Sequence, residues 1–227
     1  MKPRLLLSWS TGKDSAWTLH VLRQEGRYEI VGLVSTVNTA FNRVSMHGVR
    51  TELLEAQAKA AGLPIWQVPI PYPCPNETYE SAMRDLIARA KEAGVTHFAF
   101  GDLYLQDVRA YRERQLAGTG IAPVFPLWGA DTHALAKEMI AGGLRAVLTC
   151  VDTRQIPASL AGQEYDERLL RRLPTSADPC GENGEFHTFC YAAPCFSSPI
   201  PIQTGEVVER DGFVYVDVMP LLGSSSC

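Results

Sequence analysis

The chain has 227 residues, 46% hydrophobic and 20% charged, which excludes a disordered or fibrous protein and leaves room for a nucleotide-binding domain with a smaller one appended. A net charge of -4 and a pI near 5.8 remove any general electrostatic drive toward nucleic acid or an anionic membrane, so neither is an expected partner. No window approaches the ~20 apolar residues that span a bilayer, and the leucines after Arg4 are broken by Ser8, Ser10 and Lys13 too early for a signal peptide, so the expected compartment is the cytoplasm.

In chain order, apolar runs alternate with helical patterns over the first two thirds, the mark of βαβ units around a parallel sheet. Strands are predicted at Arg4–Trp9, Ile30–Thr36, Ile65–Val68, His97–Gly101, Val124–Pro126 and Ala146–Val151. Helices fall between them at Lys13–Glu25, Val49–Ala61, Tyr79–Ala93, Val108–Ala117 and Thr132–Ala141. Each helix runs out near a glycine (Gly26, Gly62, Gly94, Gly118, Gly142), where a left-handed C-cap costs least.

After Asp152 the pattern changes. Thr153–Arg172 reads as a connector with one polar helix, Pro174–Gly184 as turns, and Glu185–Phe189, Ile200–Gln203, Val207–Glu209 and Phe213–Val218 as short strands with Asp211-Gly212 as a hairpin turn. Residues 1–152 are therefore read as the nucleotide-binding domain and 153–227 as a cap that forms one wall of the site. Gly223–Cys227 is a short polar tail. The six cysteines form no C-x-x-C pair, which favours core or surface thiols over metal ligands; Cys180, Cys190 and Cys195 are the closest set.

The first strand runs straight into Ser10, Thr11, Gly12, Lys13, Asp14 and Ser15 and then a helix. In a parallel sheet that turn lies at the carboxyl edge, where unpaired amides and the helix dipole favour an anion. Gly12 allows close approach of the backbone, Lys13 adds a mobile cation, and Ser10 and Ser15 add hydroxyl donors, which together suit a pyrophosphate. Neither G-x-x-x-x-G-K-[ST] nor G-x-G-x-x-G is present. A plain helix start, capped by Ser10 or Thr11 with Asp14 in the first turn, would use the same residues.

The segment closely resembles S-G-G-x-D-S, the motif of PP-loop ATP pyrophosphatases, with Thr11 in place of the first glycine. Three later blocks resemble the diphthine-ammonia ligase family: Gly101–Asp107, Pro126-Leu127-Trp128, and Gly181-Glu182-Asn183-Gly184-Glu185 followed by His187 and Thr188. The resemblance implies a Rossmann-like fold of the HUP type, with helices flanking a parallel sheet and a small C-terminal α+β cap. It also implies an AMP-forming, ATP-dependent amidation in which a substrate carboxylate is adenylated, pyrophosphate leaves and ammonia displaces AMP. ATP and Mg²⁺ are then the expected cofactors, and ammonium and a carboxylate-bearing protein side chain or small molecule the partners, with a homodimer as a further expectation.

Within that reading Lys13, Asp14, Glu182 and Glu185 are the catalytic candidates, and Ser10 to Ser15 with Ser35 hold the nucleotide. Asp14 is the candidate Mg²⁺ ligand, directly or through water. Glu182 and Glu185 would bind ammonium and take its proton, or orient the substrate; a solvated acidic turn is the alternative. His47, Arg50, Asp102, Asp107, Gly181, Asn183, Gly184, His187 and Thr188 are the substrate-side candidates, and Arg109 and Arg112 would face one anion together or form a solvated charged face. No glutaminase signature is fused to the sequence. Arg43–Arg50 and Phe196–Arg210 look like shorter prokaryotic relatives, and eukaryotic members are expected to carry extra C-terminal domains. Two rival readings stand: another PP-loop adenylating chemistry such as tRNA thiolation or lysidine formation, against which the acidic balance speaks, and a non-catalytic ATP sensor.

Overall fold

Five strands lie parallel because a helix follows each and returns the chain across the sheet. They are β1 (Arg4–Ser8), β2 (Glu29–Asn38), β4 (Ile65–Ile70), β5 (His97–Ala99) and β6 (Ala122–Val124), in the spatial order β4-β2-β1-β5-β6. The two-residue β3 (Arg43–Val44) adds antiparallel to the end of β2. The helices are α1 (Lys13–Glu25), α2 (Thr51–Ala61), α3 (Asn76–Glu92), α4 (Gln106–Leu116) and α5 (Thr132–Ala141). This computed structural model describes residues 1–45 and 47–221; the expected polar tail at Gly223–Cys227 lies outside the described residues.

The central strand β1 shows why the sheet is covered on both faces: Leu5, Leu6 and Leu7 are all fully buried. Leu5 and Leu7 pack with Leu19 and Leu22 of α1 and Leu53 and Leu54 of α2, while Leu6 points the other way into Met83, Leu86 and Ala90 of α3. The Rossmann-like expectation holds in this respect, and the segment boundaries differ by only a few residues.

The last predicted strand of the parallel sheet is a correction. The segment forms as β7 (Arg145–Asp152), but it pairs antiparallel with β8 (Phe186–Ala192) and β10 (Phe213–Pro220). With β9 (Ile202–Arg210) these make a separate four-stranded sheet in the order β8-β7-β10-β9. The physical reason is the connection: no long helix follows Asp152 to carry the chain over to a parallel neighbour. Thr153–Arg172 is a connector with a 3₁₀ turn at Ala158–Leu160 and one helix, the four-residue α6 (Glu167–Leu170). Ile200–Gln203 and Val207–Glu209, read as two strands, fall on the single β9, which starts at Ile202. The antiparallel sheet joins the α1/α2 side of the core through Val147, Leu148, Phe189 and Val218.

Gly142 is a second correction. Its φ is -73°, so the left-handed turn falls on Gly143 (φ 89°) instead. Glycine is needed at 142 for space, since a Cβ there would stand 2.5 Å from the ring of Trp17.

Candidate functional site

β1 ends at Ser8, and the turn that follows sits at the carboxyl edge of the sheet. Thr11 occupies the left-handed region at φ 72°, the conformation that the glycine of the resembled motif adopts freely. For a β-branched residue this is strained by about 1–2 kcal/mol, and the surroundings hold it there. The Thr11 carbonyl accepts from the Cys190 amide (2.9 Å) and from Gln57 Nε2 (2.9 Å), and Gln57 Oε1 accepts from Trp9 Nε1 (2.7 Å).

The N-cap of α1 is Gly12, with no side-chain cap from Ser10 or Thr11. The cap arrives from β8 instead: Thr188 Oγ1 accepts from the Lys13 amide at 3.1 Å. The amides of Asp14 and Ser15, which no helical carbonyl can reach, remain for a ligand. Gly12 is hemmed in on three sides, since a Cβ would meet His47 Cε1 at 3.1 Å and Ser10 Oγ and the Thr188 carbonyl at 3.3 Å.

Above the turn opens a cavity of about 620 Å³, a size suited to a nucleotide-sized ligand. Ser10, Lys13, Asp14 and Ser15 line one side, and Val34, Ile70, Tyr79, Met83, Phe98 and Phe100 form an apolar wall. The second sheet and its loops close it with Cys180, Gly181, Glu182, Gly184, Phe186, His187 and Thr188. Six buried polar side-chain atoms among the described residues have no hydrogen-bond partner, and five of them belong to residues that line this cavity; Asp102 Oδ2 and Arg112 Nε face each other as an ion pair at 3.6 Å, which leaves Asp14 Oδ1, Ser35 Oγ and Ser45 Oγ without a partner. Buried polar groups are almost always paired in native proteins, so these three are the atoms that a polar ligand would satisfy.

Lys13 is not the mobile cation that its place in the turn suggests. Its side chain is 2% exposed, and Nζ donates to the Cys180 carbonyl and to Asp14 Oδ2 (2.9 Å) while lying 5.4 Å from the ring centres of Tyr165 and Phe186. Burial alone would lower the ammonium's pKa, but the Asp14 carboxylate beside it, with Glu182, holds it raised. Lys13 thus fastens the turn after β1 to the 178–185 loop.

That loop separates the two glutamates. Glu185 is 1% exposed and does not line the cavity; its carboxylate accepts from the amides of Asp178 (2.8 Å) and Asn183 (2.9 Å) and from Asn183 Nδ2 (3.0 Å). It is saturated by its own turn, with Asn183 as partner. Glu182 faces the cavity and accepts from the Leu103 amide at 2.7 Å. Burial, with the charges of Asp14 and Asp102, pushes its pKa up to about 7.

The native state therefore holds the Glu182 proton between the ordinary 4.5 and about 7, where the unfolded chain has released it. The linked stability is complete below 4.5 and is lost as pH rises through about 7. His47 and His187 titrate alike in both proteins, so the expected result is a difference: measured by thermal unfolding, the stability of the wild type relative to Glu182→Gln falls as pH rises from 4.5 through about 7.

His47 and His187 lie side by side at the cavity wall, ring centres 4.7 Å apart and planes tilted by 41°. Burial, reinforced for His47 by His187 and for both by Lys13, lowers their pKa values to about 3 and about 4, so both are neutral imidazoles. Asp102 lines the cavity beside Arg112, 3.6 Å from its Nε, and burial raises its pKa.

The remaining candidates fall elsewhere. Arg50 lies outside the lining and joins Arg43 in gripping Asp217 of β10, at 2.6 Å and 2.8 Å. Asp107 is exposed in the first turn of α4 and is also absent from the lining. Arg109 and Arg112 do not share an anion: Arg109 lies over Phe125 and Trp128 and pairs with Glu113, while Arg112 turns to the cavity. Sequence reasoning missed Gln57, whose only signal is a polar residue on the apolar face of α2, and Ser45 and Tyr79, which carried none. The thiols of Cys180 and Cys195 are pushed up to about 12 by burial, so neither is a thiolate.

Fold and cavity together define a Rossmann-like α/β protein of the HUP type, with its site built on the first strand-turn-helix unit at the carboxyl edge of the sheet. Residues 3–122 match the family described as "Diphthamide synthase N-terminal domain", and the chain belongs to that family. It is 27% identical over 222 residues to a diphthine-ammonia ligase of Danio rerio, covering 88% of this chain and 86% of that protein. It is 22% identical over 232 residues to a diphthine-ammonia ligase of Bos taurus, covering 92% and 86%. Since the chain spans 86% of both, large extra C-terminal domains do not set these two eukaryotic relatives apart from it.

Proposed function

We propose that this protein is a cytoplasmic ATP-dependent ligase of the diphthine-ammonia ligase type, which adenylates a substrate carboxylate with release of pyrophosphate and transfers ammonia to give an amide and AMP. The observation that carries the reading is the set of unpartnered buried atoms, Asp14 Oδ1 and Ser35 Oγ among them, gathered around the cavity above the phosphate turn. ATP is the substrate whose phosphates suit the amides of Asp14 and Ser15 and the hydroxyl of Ser10, while the Ser15 hydroxyl donates to the Gly12 carbonyl at 2.9 Å. The apolar wall of Val34, Ile70, Phe98 and Phe100 suits its base.

Mg²⁺ fits the same corner. It commonly takes one or two carboxylates plus phosphate oxygens and water, and Asp14 offers a carboxylate oxygen that nothing else uses. Bound there it would neutralise charge developing on the departing pyrophosphate. Glu182, with a pKa of about 7, suits an ammonium near neutral pH and can accept its proton. Glu185, by contrast, acts as a positioning group for the loop that presents Glu182. The neutral pair His47 and His187 offers hydrogen bonds without adding charge near the carboxylate.

The test is product analysis with the purified chain, Mg-ATP, ammonium and a diphthine-bearing acceptor. AMP and pyrophosphate are expected in equal amounts, formed only with the acceptor present. Release of ADP and phosphate, or tight ATP binding with no acceptor-dependent turnover, would overturn the reading.

A further inference from the structure

The four-stranded sheet ends on β9, a nine-residue edge strand whose outer side has no partner strand among the described residues. A long regular edge is an open template for pairing. Val207 is 62% exposed although it stands opposite Val216, on the core face of the sheet, and Val208 on the other face is 44% exposed. Both faces of the strand thus carry uncovered valine at its centre.

The charges then select a register. In an antiparallel pairing of β9 with itself, a two-fold axis between Val207 and Val208 sets Glu206 against Glu209 of the other copy twice. An axis at Glu206 or at Glu209 sets that glutamate against itself. Only with the axis at Val208 does Glu206 face Arg210 of the other copy, and this contact occurs twice while valine meets valine between the two pairs. Arg210 is exposed, and its one ion pair among the described residues is with the adjacent, exposed Asp211 at 3.4 Å.

We propose that a second copy of this chain pairs edge to edge through β9, antiparallel with Val208 on the axis, joining two four-stranded sheets into one. The strand lies outside the cavity lining, so association leaves both sites open.

Analytical ultracentrifugation of the full chain tests this. The wild type is expected to show a monomer-dimer equilibrium. Glu206→Arg and Arg210→Glu, each turning two attractive pairs repulsive, are expected to weaken it about ten-fold. The double variant E206R/R210E restores the pairing in this register alone and is expected to recover most of the lost affinity. A wild type that stays monomeric, a dimer indifferent to the single changes, or a double variant no better than the singles would each overturn the proposal.

Discussion

Asp14→Asn is expected to reduce acceptor-dependent ATP-pyrophosphate exchange by about 10²–10³-fold, the usual scale for removing one preorganised electrostatic contact to a transition state. Two features of Asp14 lead there. One oxygen is committed to Lys13, and the other is buried, unpartnered and at the cavity wall. Asparagine keeps the shape but removes the charge that a cation needs. Some stability is lost as well, because the buried Lys13 ammonium then faces a neutral amide oxygen in place of its carboxylate partner.

Ser35→Ala separates the two effects. Its hydroxyl is buried and unpaired, so deleting it is expected to stabilise the ligand-free protein by about 1 kcal/mol while weakening ATP binding. Binding measured by calorimetry alongside melting curves reads both. If Ser35→Ala melts lower and binds ATP unchanged, the hydroxyl is not a ligand contact.

What the sequence made legible was local, and what it concealed was distant. The strand, turn and first helix follow from an apolar run, a polar turn and helical periodicity within one stretch of chain, and their bounds are nearly those observed. The residues that complete the turn come from far away: Thr188 caps a helix that starts 175 positions earlier, and Gln57 reaches Cys190 across 133. No periodicity encodes such contacts.

Glu182 and Glu185 looked equivalent because the text of a turn does not say which carboxylate its own amides will consume. β7 looked like one more parallel strand because apolar runs read alike in either sheet. The distinguishing sign was the missing long helix after Asp152. Arg50 looked like a site residue because it precedes a helix at the carboxyl edge, and Asp217 on the far sheet claimed it.

Gln57→Leu is expected to be the most destabilising conservative change near the site. Gln57 is fully buried, and its amide spans three elements, accepting from Trp9 at the end of β1 and donating to the carbonyls of Thr11 and Cys190. Leucine fills much of the same volume but leaves Trp9 Nε1 and the Cys190 carbonyl buried without these partners. Orphaned buried groups cost about 1–3 kcal/mol each, so a loss near 3 kcal/mol is expected, or roughly 6–12 °C in melting temperature for a chain of this size. The functional loss should exceed what unfolding explains. Thr11 is held at a strained φ of 72° by the bonds to its carbonyl, and once Gln57 lets go, only the Cys190 amide opposes relaxation of the turn. ATP affinity measured well below the melting transition should therefore fall as well. Gln67→Leu, on the exposed face of β4, serves as the comparison and is expected to stay within about 0.5 kcal/mol of wild type. A Gln57 variant that melts lower yet binds ATP normally would mean that Thr11 keeps its conformation unaided.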